Sequence, residues 1–208
     1  VFGSSNTVVN STHNSIVSGE LHTDSNGTNN AHFGKYVNST SSINNITSGY
    51  DNYLHTVKES VIFGISNNAI NIEHSMTLGK ENKIRDTSGT ILFGNNNDAS
   101  GNALNTFVSG ANHDISGGSQ NTAFGDNSKM TASNNSMLSG LNNIATNILN
   151  SIGFGKTNHL DTTIDSLTSG NANKLKNTHA TTVFGSENDA SNNTCLLYTS
   201  DAADDNAG

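Results

Sequence analysis

Thirteen glycines divide the chain almost evenly: Gly3, Gly19, Gly34, Gly49, Gly64, Gly79, Gly94, Gly110, Gly125, Gly140, Gly155, Gly170 and Gly185. Ten of the twelve steps between them are 15 residues and two are 16. A period that short cannot bury a core within one unit, so the fold must stack unit on unit. The columns around each glycine carry the reading. Three residues before it, ten of twelve positions are apolar (Ile16, Ile46, Val61 and Ile91 among them), and five residues after it eleven of thirteen are apolar. Three residues after it stands Asn in nine of thirteen coils, including Asn52, Asn67, Asn82 and Asn97. Asn tolerates left-handed backbone and bonds its own main chain, so this column beside glycine predicts a tight turn.

Each coil is expected to be a short strand with positions -3 and -1 (counted from the glycine) facing the core, then the turn, then a second strand with +5 facing inward. The expected fold is all-β: a single-chain parallel β-solenoid of 13 coils with about 15 residues per coil. Helices are excluded because no segment keeps an i, i+3, i+4 pattern and Gly, Ser and Asn are poor helix formers.

A longer unit overlies the short one. The residue before the glycine is Phe in every odd coil (Phe2, Phe33, Phe63, Phe93, Phe124, Phe154, Phe184) and Ser in every even one except for Leu78. A ring at every rung would overfill a narrow core, and a small residue between rings relieves that. Phe33, Phe63, Phe93, Phe124, Phe154 and Phe184, with Gly34, Gly64, Gly94, Gly125, Gly155 and Gly185, are therefore the candidate structural core of the repeat. Phe33, Phe63 and Phe93 should form one column, separated by Ser48 and Leu78. Phe107, at -3, stands in a coil whose -1 residue is the small Ser109.

Composition agrees with a thin, stacked core. Only 32% of the 208 residues are apolar and 12% charged, with no Pro, so the chain has neither the charge nor the Pro content of most disordered sequences. The net charge of -8 offers no basic footprint, and a nucleic-acid partner is not expected. The sequence has no run of 18 or more apolar residues, so direct membrane contact is not expected in this stretch.

The stretches NSIVSG, ESVIFG, NSMLSG and NSIGFG, each leading into a polar turn and a small apolar residue, resemble the head repeats of trimeric autotransporter adhesins of the YadA-like type. The resemblance covers about residues 1–194. It implies a left-handed parallel β-roll and a homotrimer. It also implies a place on the bacterial cell surface, held to the outer membrane through a C-terminal region outside this stretch. The chain departs from that pattern at -2, where Val17, His32, Thr47, Ile62, Thr77, Leu92 and Leu138 replace small residues, and in the core column at Asp24 and Ser39.

After residue 194 the repeat stops. Cys195 to Asp205 resembles a translated transposon-type sequencing adapter, so 195–208 is read as a non-native, disordered tail following the adhesin repeats of 1–194. On that reading Asp201, Asp204 and Asp205 are foreign, the native charge is -5, and the chain is an internal fragment of a longer protein.

No catalytic, cofactor or metal site is expected. The eight histidines (His13, His22, His32, His55, His74, His113, His159, His179) have neither zinc-finger nor HExxH spacing and read as surface decoration. The SGGSQN run around Gly117 and Gly118 lacks the Asp column of a calcium repeat and the Gly-Lys-Ser/Thr of a phosphate loop. Asn-x-Ser/Thr triplets at Asn26, Asn38 and Asn45 are expected by chance in such a composition. The expected function is a surface adhesin head segment, a structural and binding module and not an enzyme. Multivalent contacts, with Tyr36, Tyr50 and Tyr53 as candidates, would attach it to host matrix or other surfaces. The alternative is a bacteriophage tail-fibre or tailspike segment. A polysaccharide-cleaving β-helix would need clustered Asp or Glu on one face.

Overall fold

The structure, a computed structural model, describes residues 1–10, 15–101 and 103–192, together with the backbone of 194–199. Its strands, 26 among the described residues, form a single parallel sheet wound into a solenoid. Every glycine of the periodic set pairs in register with the next, from Gly3↔Gly19 to Gly170↔Gly185, which makes twelve steps along the rod. At about 4.8 Å per step the rod is roughly 60 Å long. Gly64↔Gly79 and Gly79↔Gly94 place Gly64 and Gly94 two rungs apart, as the period requires. The extra residue of the coil after Gly94 falls between Ser100, paired with Ser116, and Leu104, which bridges Ser119.

Each coil is three-sided because the backbone turns left-handed three times. In the coil of Gly64 the corners are Ser66 (φ 54), Asn71 (φ 52) and His74 (φ 51). Most corner residues are not glycine, and each such residue costs about 1–2 kcal/mol in that region. The cost is offset rung by rung, because corner amides donate to the coil before: Glu81 N–H to Ile65 O at 2.8 Å, Asn96 N–H to Lys80 O at 2.9 Å. Asn side chains on the corners add an outer ladder, as in Asn71 to Asp86 (2.9 Å) and Asn135 to Asn150 to Asp165 (3.2 and 3.0 Å). The left-handed corner next to the glycine is thus position +2 and not the Asn column at +3.

The first strand of each coil faces the other way from the sequence expectation. Its inward residue is the -2 side chain: Val17, His32, Thr47, Ile62, Thr77, Leu92, Val108, Ala123, Leu138, Thr168 and Val183 are all fully buried. Positions -3 and -1 point out, so Phe33 is 40% exposed, Phe63 37%, Phe124 36%, Phe154 37% and Phe184 41%. The physical reason is space. Ladders at +3, +5, +8 and -4 already converge on the interior of a 15-residue coil, and only one side chain from the first strand fits among them. The +5 column does face inward, with Leu54, Ile84, Ile115, Met130 and Leu160 fully buried, and Asp24 and Ser39 with them. The aromatic column itself is as expected, in register through Phe33↔Ser48, Ser48↔Phe63, Phe63↔Leu78 and Leu78↔Phe93. It lies on the outer surface.

Thr194–Thr199 forms the last strand, pairing with Lys174–Ser186 from His179↔Thr194 to Phe184↔Thr199. The ladder therefore runs into the start of the segment read as adapter; the rest of that segment, and His13, lie outside the described residues.

Candidate functional site: the outward apolar face

The outer side of the first strands is the surface most unlike an ordinary soluble one. Its -3 and -1 columns together carry Ile16 (51% exposed), Ile46 (46%), Phe33, Phe63, Phe124, Phe154 and Phe184, with Val61, Met76, Leu78, Ile91, Phe93, Met137, Ile152 and Leu167 half-buried between them. A contiguous apolar stripe along a whole rod marks an interaction surface, because a monomer in water gains nothing by keeping it. The stripe is corrugated. Rings recur at every second rung, roughly 10 Å apart, with Ser18, Ser48, Ser109, Ser139 and Ser169 as gaps. At the one coil where Phe stands at -3, Phe107 meets Phe93 edge-on (centroids 5.7 Å, 85°) and Phe124 at a tilt (5.4 Å, 56°). That contact carries aromatic packing across the Ser109 rung.

What keeps this face straight is a polar interior ladder. The +3 Asn side chains are buried and point along the rod. Asn67 donates from Nδ2 to Asn52 Oδ1 (3.1 Å) and to Gly79 O (3.0 Å), and its own Oδ1 accepts from the Asn82 N–H (3.1 Å). The same pattern repeats at Asn82, Asn158 and Asn173. A second ladder at -4 works through hydroxyls: Ser75 N–H donates to Ser60 Oγ (3.1 Å), and Thr90 N–H to Ser75 Oγ (3.2 Å). Both satisfy backbone groups beside the corners that would otherwise be buried without partners.

His22 and His113 occupy the Asn column; His113 copies both of its bonds, and His22 only the one to the carbonyl. His113 Nε2 donates to Gly125 O (3.0 Å) while Nδ1 accepts from Ser128 N–H (3.3 Å); His22 Nε2 donates to Gly34 O (2.9 Å). With His32 they are buried, so three of the histidines read as surface decoration are interior residues; His74, His159 and His179 are exposed and His55 is half-buried. Burial lowers the pKa of both His22 and His113 below the ordinary 6.5, against the opposing pull of their carbonyl partners. Above about pH 6.5 these imidazoles are neutral whether the chain is folded or not. As the pH falls through that value the unfolded chain takes up protons that the folded chain resists, so stability declines until the depressed folded value is passed. His113→Asn, which restores the ladder without a titrating group, should flatten the fall of the thermal midpoint between pH 7 and 5. An unchanged slope in this variant would contradict the role given to His113.

Ion pairs join equivalent positions on successive coils: Lys35–Glu20 (3.0 Å), Lys58–Glu73 (3.1 Å), Lys129–Asp114 (3.0 Å) and Lys174–Asp189 (3.0 Å). Exposed as they are and screened by solvent, they serve register more than stability. Tyr36 and Tyr50 meet edge-on at 5.4 Å on the outer surface, with Lys35 Nζ 5.1 Å from the centre of the Tyr36 ring, and Tyr53 is exposed close by in sequence. An open groove of about 460 Å³ lies between the rows Thr56, Asn71, Asp86 and Lys58, Glu73, Ser88, with Ile72 in its floor. Among the described residues no group of three His, Cys, Asp or Glu side chains is placed to hold a metal ion. The sequence reading missed the exposed stripe, although its signal was present: -3 and -1 apolar together with -2 also apolar means a strand covered on both faces. No protein-family model and no curated protein matches the chain.

Proposed function

We propose that this chain is a head segment of a bacterial surface adhesin, a rod that associates as a homotrimer and holds its polar faces out for multivalent attachment. The observation that carries this reading is the outward apolar stripe, which needs a partner of its own length. A second and third copy related by an axis along the rod supply one. Such an axis brings the Phe rungs of all copies to the same level, and the Ser rungs between them leave the rings room to tilt. The remaining two sides carry Asn, Ser, Thr, Tyr53 and the Lys58–Glu73, Lys129–Asp114 and Lys174–Asp189 pairs, while Tyr50 and Lys35–Glu20 stand at the stripe's edge; this chemistry suits many weak contacts with host matrix or another surface. Attachment of this kind needs no catalytic group, and we read the protein as a binding module anchored to the outer membrane through a further C-terminal region.

Burying a fully exposed ring contributes about 1.5–3 kcal/mol, and rings 36–37% exposed, as Phe124 and Phe63 are, still have part of that to gain, summed over three copies. Phe63→Ser, Phe93→Ser and Phe124→Ser together should therefore turn a trimer into a monomer in sedimentation while the circular dichroism of the solenoid is kept. A wild-type chain that remains monomeric at high micromolar concentration would remove the basis for this proposal. Glass or collagen surfaces that retain the trimer and release the monomer would link assembly to attachment.

A further inference from the structure

Thr77 and Thr168 are single polar exceptions in the -2 column, but only in coils two to four are the +5 and -2 columns polar together. Asp24 and Ser39 stand at +5, His32 and Thr47 at -2, and all four are 0% exposed. The register stacks Asp24 on Ser39 and His32 on Thr47, so the four belong to one polar block inside the rod. The block is built, because a neighbouring position makes room for it. Gly27 stands where Val57 and Ile72 stand in later coils, and a Cβ there would lie 2.2 Å from Asp24 Oδ1 and 2.6 Å from Asn30 Nδ2. Asn30 donates to Asp24 Oδ1 at 3.4 Å, and hydrogen bonding and the charge of His32 hold the carboxyl below its usual range against the burial that would raise it.

The other members of the block are not satisfied by protein. His32 Nε2 stands 3.8 Å from Asp24 Oδ1, beyond hydrogen-bond reach, and neither ring nitrogen has a hydrogen-bond partner. Ser39 Oγ and Thr47 Oγ1 are buried without partners too. One rung on, the same two columns hold Leu54 and Ile62, larger side chains than Ser39 and Thr47. The interior here is therefore more polar than that of the next coil. Buried polar atoms left in that state cost about 1–3 kcal/mol each, and ordered water is the usual partner for such groups.

We infer that coils two to four hold an internal water site, in which ordered water bridges His32, Ser39 and Thr47 beside the Asp24 carboxylate. The donor set selects the ligand. An imidazole offers one donor and one acceptor, and each hydroxyl offers both, so the site matches a molecule that is itself both donor and acceptor. An anion would meet the carboxylate, and among the described residues no third His, Cys, Asp or Glu joins Asp24 and His32 to hold a metal ion. Water also explains why the solenoid tolerates polar side chains here while the apolar core cluster runs on from Val37 to Leu160.

The test is a crystal structure of the full chain at a resolution that shows ordered solvent. Density is expected at about 2.7–3.2 Å from a His32 ring nitrogen and from Ser39 Oγ or Thr47 Oγ1. Ser39→Leu with Thr47→Ile, which writes the next coil's residues into this one, should abolish that density. Direct hydrogen bonds among His32, Ser39 and Thr47, an interior without density, or an ion bound to the carboxylate would each overturn the inference. If the double variant does not fold, the wild-type density decides alone.

Discussion

Gly64→Ala should cost more than about 4 kcal/mol and open the solenoid at its middle. Gly64 has φ +128, a backbone region closed to side chains, and a Cβ placed on it would lie 1.8 Å from the Gly79 carbonyl oxygen and 2.8 Å from its carbon. Neither atom can move away, because both belong to the next rung of the ladder that pairs Val61–Ile65 with Met76–Lys80. The strands must separate or the backbone must bend, and each choice breaks hydrogen bonds on both sides. Gly153→Ala is the internal control. Its Cβ would meet the ends of the Leu138 and Leu160 side chains at 2.9 and 3.3 Å, and those can shift. Urea titration of the two variants should show a large loss for the first and a smaller one, about 1–3 kcal/mol, for the second. Equal losses would mean that the glycine column reflects side-chain crowding and not backbone approach.

Asn82→Ala comes next in size, at about 1–3 kcal/mol, since it strands one buried backbone N–H and takes a donor from a part-buried carbonyl. Asn97 N–H loses its acceptor, Asn82 Oδ1 at 3.0 Å, and Gly94 O loses its donor, Asn82 Nδ2 at 2.9 Å. The methyl group that replaces the amide is no compensation, because the site is polar on every side. Asn82→His should recover most of the loss, since His113 makes the equivalent bonds in its own coil. Denaturant midpoints of the three proteins decide the matter. A loss below about 1 kcal/mol for the alanine variant would show that the corner peptides find partners elsewhere.

The two effects differ in how far they could be read in advance. The glycine period announced the stacking, and it did so without any knowledge of side-chain direction. The Asn column announced a turn, but its work is different: it lies inside the rod and bonds from coil to coil, while Ser66, Glu81 and Asn96 beside it take the left-handed corner. Residue type alone does not separate these roles, because the amide that favours left-handed backbone is the same amide that stacks into a ladder. The candidate surface shows the same limit. The argument that a ring at every rung would overfill a narrow space depends only on size and spacing. It applies equally to an interior and to a seam between copies, and Phe63 at 37% exposure places it on the outside.

The sequence by itself determined the period, the parallel in-register stacking, the two-coil alternation of Phe with a small residue and the absence of helix, all of which follow from spacing along one chain. Only the tertiary structure decided which side of the first strand is buried. Alternation states that -3 and -1 share a face and that -2 takes the other, but both faces here are apolar, so the pattern is silent on direction. Direction is set by how much a coil of 15 residues can enclose. With the +3, +5, +8 and -4 columns inside, the interior takes the single -2 side chain, and the Phe and Ile columns are left to the outer surface.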